Sequence, residues 1–114
     1  MKFDNSTTLK LGNHTYSLKY DINALIKLEA LISTKNIARM IANYPLSHSD
    51  TIICLMAGLD KDYPSMNMNK AKNLFSQMLK EYSISDVQNV ILEALLKSGA
   101  MGKVEEQEAA EQGE

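Results

Sequence analysis

The spacing of apolar residues changes once along this chain, and that change constrains the fold more than any other feature. Before Asp21, apolar or β-favouring residues alternate with polar ones, as in strands that bury one face: Thr7, Leu9 and Leu11, then Tyr16, Leu18 and Tyr20. Gly12-Asn13 separates the two runs, and both residues tolerate the positive φ of a tight turn. We therefore predict a β-hairpin, which needs helices or further strands against its apolar face to be stable.

After Asp21 the apolar residues recur every three or four positions, which predicts helices. Asp21 is a natural N-cap, and the apolar side of the helix that follows is expected to comprise Ile22, Leu25, Ile26 and Leu28. Further helices are expected over about residues 36–43 and 49–58, with Ser47 able to cap the latter. The predicted fold class is α+β, an N-terminal β-hairpin followed by a small bundle of four to five helices.

The last two helices have the clearest apolar pattern. Asn69 is the expected cap of a helix that runs to about Tyr82. For the final helix, Ser85 and Gln88 fit a capping box, and Gly99 fits the residue that ends it. Apolar residues cover more than one stripe of this helix, so it is either central in the core or presents a second apolar face to a partner.

Charge divides the chain into a body and a tail. Residues 1–102 carry a net charge of +2 and are expected to form a single α+β domain. Residues 103–114 contain Lys103 and five glutamates, so they are expected to be an acidic, disordered tail. A body with so little net charge and spread lysines is a poor footprint for nucleic acid.

The search for catalytic or ligand-binding motifs gives negative results. His14 and His48 lack neighbouring ligands, and Cys54 lies in an apolar run where a buried free thiol is expected. There is no phosphate-binding glycine loop and no nucleophile motif. No apolar run approaches the roughly 20 residues that a membrane span needs, and the N-terminus lacks a signal-peptide core. We expect a non-enzymatic, cytoplasmic chain without metal, cofactor or membrane partner.

The chain resembles the small tail assembly chaperones of long-tailed phages and their gene-transfer-agent relatives over about residues 7 to 102. Three segments carry the resemblance: Leu11 to Leu25, Leu55-Met56-Ala57-Gly58-Leu59, and the closing helix through Ala94-Leu95. Such chains often carry a glycine just after the first helix, where this chain has Ser33-Thr34-Lys35-Asn36. The resemblance implies a non-enzymatic protein that keeps the tape-measure protein soluble, recruits tail-tube subunits in the host cytoplasm and is absent from the mature virion.

Many members of that family are made in two forms by a −1 frameshift. Met101-Gly102-Lys103 fits such an event, because a GGA codon for Gly102 would place the heptamer G GGA AAR in the messenger. On this interpretation a longer form diverges after Lys103 and replaces the acidic tail.

A chaperone of long amphipathic helices needs an apolar groove with a polar rim, and several weak contacts along its client. The candidate partner-binding residues are Leu92 and Leu96 on the last helix and the methionines Met66 and Met68 after Pro64, although core packing is the commoner role of methionine. Self-association through this surface or the hairpin edge is a further possibility.

Two alternatives remain open. A structural phage adaptor, such as a head–tail connector that stays in the particle, would have the same sequence features. A small regulatory DNA-binding protein would also consist of short helices, but the single arginine, Arg39, and the absence of a basic recognition helix are against it.

Overall fold

The computed structural model describes residues 7–99 and begins with a two-stranded antiparallel hairpin. Strand β1 spans Thr8–Leu11 and strand β2 spans His14–Ser17. Gly12, at φ 58°, begins the two-residue turn, in agreement with the prediction for Gly12-Asn13. Leu9 pairs with Tyr16, and Leu9 is 1% exposed, so this face of the hairpin packs on the core.

Five helices follow the hairpin. Their bounds are Ile22–Leu31 for α1, Ile37–Ala42 for α2, His48–Leu59 for α3, Met68–Met78 for α4 and Ile84–Ser98 for α5. The fold is α+β, a hairpin followed by a small helical bundle, as the change in apolar spacing predicts. Among residues 7–99, no helix is long and apolar enough to cross a membrane.

Side-chain caps fix where the helices begin. The predicted caps Asp21 and Ser47 accept the backbone N–H groups of Ala24 and Asp50. The predicted Asn69 cap is wrong, because Asn67 caps α4 by accepting the Lys70 N–H. Asn67 and Asn69 lie two residues apart in a polar stretch, so composition alone does not show which of them caps the helix.

The predicted capping box of α5 is also shifted by two residues. Ser83 and Asp86 form it, each side chain accepting a backbone N–H group of the other residue. Gln88 is instead buried, where its side-chain amide bonds the backbone of Leu46 and the hydroxyl of Thr51. Gly99 ends the helix in the left-handed conformation, φ 84°, as predicted.

Helix α3 is the centre of the bundle, with contacts to β2, α1, α4 and α5. The hairpin joins it through Gly58, whose carbonyl accepts the Lys19 N–H at 2.8 Å. A Cβ atom at Gly58 would lie 2.8 Å from the Tyr20 ring, so glycine is required for this close approach. The Tyr20 hydroxyl in turn donates to the Cys54 carbonyl at 2.6 Å.

The predicted inner face of α1 is wrong for two of its four residues. Leu28 is buried and Leu25 partly so, but Ile22 and Ile26 are 67% and 61% exposed. The buried stripe is made instead by Ala24 and Leu28, with Ile32 immediately after the helix. Residues two positions apart on a helix are separated by about 200°, so burying Ala24 turns Ile22 and Ile26 to solvent.

The turn after α1 contains a lysine in a backbone conformation that favours glycine. Lys35 has a φ of 57°, in the left-handed region, and its ammonium donates to the Ala30 carbonyl at 2.7 Å near the end of α1. A glycine would adopt this conformation without strain. The Lys35 side chain instead satisfies a carbonyl that the end of a helix leaves free.

Candidate partner-binding surfaces

Exposed apolar side chains mark the surfaces where this domain could contact a partner. Single exposed apolar residues are common on proteins, so only those that share one surface are informative. The exposed large apolar side chains of the described residues, which range from 37% to 67% exposed, lie on or beside the five helices: Ile22, Ile26, Leu31, Tyr44, Met68, Leu79, Ile84 and Leu96.

The most exposed pair forms a stripe on α1, defined here as Ile22 and Ile26. These residues are four positions apart and therefore lie one above the other on the same helix face. Two exposed ion pairs join α1 and its cap to the end of α3: Lys27 with Asp60 at 3.3 Å and Lys61 with Asp21 at 3.9 Å. The α1 stripe is thus an exposed apolar surface on one face of a helix.

Sequence reasoning missed this surface because it assigned Ile22 and Ile26 to the core. The sequence feature that indicates the buried face is the four-residue spacing of Ala24, Leu28 and Ile32, which is typical of a core-facing helix stripe. Alanine carries little weight in a hydrophobic pattern, yet its small side chain lets α1 approach α3 closely.

The two candidate methionines lie in separate grooves. Met66 is partly buried and lines a groove of about 270 Å³ between the hairpin and α4, with Tyr16, Leu74 and the polar residues Lys70, Asn73 and Gln77. Met68 is 40% exposed and lines a groove of about 310 Å³ with Ile52, Asn69 and Lys72. Each groove is lined by apolar side chains and by one lysine, Lys70 or Lys72.

The two candidate leucines lie one turn apart on α5. Leu92 is half-buried, and Leu96 is 48% exposed. Neither methionine groove is lined by a residue of α5. The structure therefore does not bring Leu92 and Leu96 together with Met66 and Met68 in one groove, and these candidates belong to different surfaces.

An aromatic cluster, His14, Tyr16 and Tyr63, holds the hairpin tip against the loop between α3 and α4. The Tyr63 hydroxyl lies 2.6 Å from His14 Nε2, and the ring centroids of Tyr16 and Tyr63 are 5.6 Å apart. The pKa of Tyr63 is raised by desolvation and by its neighbours Tyr16 and Asp62, against an opposing effect of Lys19. This cluster forms one side of the Met66 groove through Tyr16.

The hairpin has one blocked edge. The Lys10 N–H donates to the Tyr82 hydroxyl at 2.9 Å, and that hydroxyl donates to the Lys10 carbonyl at 2.8 Å. Because backbone groups alternate in an antiparallel pair, Thr15, opposite Lys10, turns its own N–H and C=O away from β1. Self-association by strand pairing would therefore use the β2 edge.

The chemistry available to the described side chains is limited. No three His, Cys, Asp or Glu side chains within residues 7–99 are grouped so that they could hold a metal ion. The Cys54 thiol is buried, and desolvation together with the Asp50 charge raises its pKa, which disfavours the nucleophilic thiolate. Gly102 and Lys103, the predicted frameshift position, lie outside the described residues, as does the predicted acidic tail.

Comparison with known proteins gives no match to a family model, to a curated protein or to a solved structure.

Proposed function

We propose that this chain is a phage tail assembly chaperone that keeps the tape-measure protein soluble and helps to recruit tail-tube subunits. Two features support the proposal. The hairpin followed by an aspartate-capped helix is the pattern on which the family resemblance rests. The α1 stripe leaves two large apolar side chains in solvent, which is the observation that most favours binding of an apolar partner.

The proposed mechanism is weak, repeated capture of amphipathic helices. An exposed isoleucine pair covers about one helical turn, so each copy of the domain would contact only a short part of a client. Many copies along one long client would then bind with combined strength, while each could leave as tail-tube subunits arrive. Leu28 packs α1 on the core with its opposite side, so the stripe faces solvent.

Co-expression with the tape-measure protein tests this function. The chain should increase the fraction of tape-measure protein that remains soluble after centrifugation. An Ile22→Ser/Ile26→Ser variant should lose that gain, whereas the matched variant Leu79→Ser/Ile84→Ser, at two sites that are each 37% exposed, should retain it. Retention of client solubility in both variants would exclude the α1 stripe as the binding surface, and loss in both would show that the effect is not specific to the stripe.

A Leu92→Ser/Leu96→Ser variant tests the surface expected from sequence. Leu92 is half-buried, so circular dichroism must first show that the variant folds. If this variant fails to solubilise the client and the α1 variant succeeds, α5 is the binding element. If the wild-type chain itself has no effect on the soluble fraction, the chaperone proposal fails.

The frameshift is tested by the nucleotide sequence from codon 101 onward. We expect G GGA AAR across Met101 to Lys103, an open −1 frame beyond it and a very long tape-measure gene downstream. A different glycine codon with no overlapping frame would exclude the longer form. Mass spectrometry of purified virions then separates a chaperone, which should be absent, from a structural adaptor, which should be present.

A further inference from the structure

A cleft between the α1–α2 turn and the start of α3 has features that the proposed function does not use. Its volume is about 190 Å³, close to the size of one long side chain. Its walls combine apolar and hydrogen-bonding groups from three adjoining segments: Ser33, Thr34, Met40, Asn43, Pro45, Leu46, Ser47 and Asp50.

Asp50 supplies a buried carboxylate to this cleft. The residue is 5% exposed, and its two oxygens accept the Ser33 N–H at 3.1 Å and the Ser33 hydroxyl at 3.0 Å. A carboxylate has about four acceptor sites, so two hydrogen bonds leave part of its capacity unused. These bonds join the α1–α2 turn to α3, and Asp50 also lies in the first turn of α3, where the helix dipole favours a carboxylate.

No cationic side chain within residues 7–99 forms an ion pair with Asp50. The ammonium of Lys35, on the adjoining turn, donates a hydrogen bond to the Ala30 carbonyl, and Arg39 is exposed on α2. His48 lies two residues before Asp50, with its ring beside Phe75. Buried charges in proteins are usually paired, so a carboxylate in a cleft without an internal cation favours an external one.

We propose that this cleft binds a cationic side chain, the lysine ammonium or arginine guanidinium of a partner protein. The cation contacts Asp50, while Met40, Pro45 and Leu46 pack along the aliphatic stem that both side chains possess. Asn43 and Ser33 also line the cleft, and the side chains of both have an oxygen able to accept an N–H group. This site is separate from the α1 stripe, and its test does not depend on the chaperone proposal.

NMR titration of the full chain with blocked amino acids tests the site. N-acetyl-lysine methylamide and N-acetyl-arginine methylamide are the probes, with N-acetyl-norleucine methylamide as the uncharged control. We expect both cationic probes, or one of them, to shift the amide signals of Ser33, Thr34 and Asp50 with a Kd of roughly millimolar order, as for one buried charge contact. Norleucine should cause no comparable shift. Equal shifts with norleucine, or none with either cation, would overturn the proposal.

Two variants decide whether Asp50 is the recognising group. Asp50→Asn keeps the size and should weaken cation binding at least about tenfold, which corresponds to about one charge-assisted contact. Asn43→Phe narrows the mouth while leaving Asp50 in place, and it keeps the test valid if Asp50→Asn does not fold. Glu81→Gln removes an exposed carboxylate elsewhere and should leave binding unchanged. Unchanged binding in both cleft variants would exclude this site.

Discussion

A small set of residues fixes the hairpin to the centre of the bundle. Tyr20 ends the segment after β2, and its buried hydroxyl bonds the Cys54 carbonyl while its ring lies over Gly58. Desolvation, with a smaller effect of Cys54, raises the pKa of Tyr20 well above its ordinary value of 10.0. Desolvation and the Asp50 charge also raise the pKa of Cys54 above its ordinary value of 9.0. Burial at this junction therefore favours the protonated forms of the Tyr20 hydroxyl and the Cys54 thiol.

Alkaline pH should destabilise the fold through these two residues. Between the ordinary and the raised pKa values the folded state binds more protons than the unfolded state, so the free energy of unfolding falls as pH rises above about 9. Urea unfolding at pH 7.5, 9, 10 and 11 measures this dependence. A free energy of unfolding that stayed constant over this range would contradict the burial of both groups.

Tyr20→Phe separates the two contributions. The variant should lose about 1 kcal/mol at pH 7.5, because it removes one buried hydrogen bond to the Cys54 carbonyl. Its free energy of unfolding should fall less steeply above pH 10, since one titrating group is gone. Tyr44→Phe, which removes an exposed hydroxyl bonded to Asn89, is the matched control and should lose less stability at pH 7.5 than Tyr20→Phe.

At the scale of single elements, caps and partly buried faces determine where each helix begins and which of its sides packs on the core. Helix α1 is apolar on two sides, and its small residue Ala24 selects which side packs on the core. Gln88 joins α5 to the segment before α3, because its side chain forms hydrogen bonds with both the N–H and the C=O of Leu46. If Ser85 were the cap, as the sequence pattern predicts, Gln88 would be a capping residue in the first turn of α5. With the cap at Ser83, Gln88 lies further along the helix and is buried in the core.

The position of the α5 cap gives a direct test. Ser83→Ala should destabilise the protein by about 1 kcal/mol, because it removes the acceptor for the Asp86 N–H and disrupts the capping box. Ser85→Ala, inside the first turn and exposed, should change stability by less than about 0.5 kcal/mol. Thermal or urea unfolding measures both. A larger loss for Ser85→Ala would place the start of α5 where the sequence pattern predicts it.

At the scale of the whole molecule, α3 is the element on which the others pack. Nine of its residues, from Asp50 to Leu59, are buried, whereas α1 buries two, Ala24 and Leu28. The hairpin reaches α3 by the Lys19–Gly58 backbone bond, and α5 does so by the Gln88–Thr51 bond. The stability of the domain therefore depends on α3 more than on any peripheral element.

Hydrogen exchange should reflect this arrangement. Amides in α3 should exchange most slowly, at rates set by global unfolding, because opening α3 requires the surrounding elements to leave it. Amides in α1 should exchange faster through local opening. NMR-detected exchange at neutral pH measures both. Equal protection of α1 and α3 would show that they open as one unit, and faster exchange in α3 would contradict its central role.

The sequence alone determines the class of fold and many element boundaries. The change from alternating to helical spacing at Asp21 predicts the hairpin and the helices, and Gly12, Ser47 and Gly99 fix local geometry through short-range backbone chemistry. These features are predictable because each depends on neighbours within about four residues.

Only the tertiary structure decides which apolar face is buried. Ile22 and Ile26 are as hydrophobic as Leu28, and their exposure follows from the close approach of Ala24 to the bundle. The same holds for Gln88 and Asp50, polar residues that are buried because distant backbone groups of Leu46 and Ser33 meet them. Such pairings join residues many positions apart, so the physical reason lies in packing between elements and not in any local pattern.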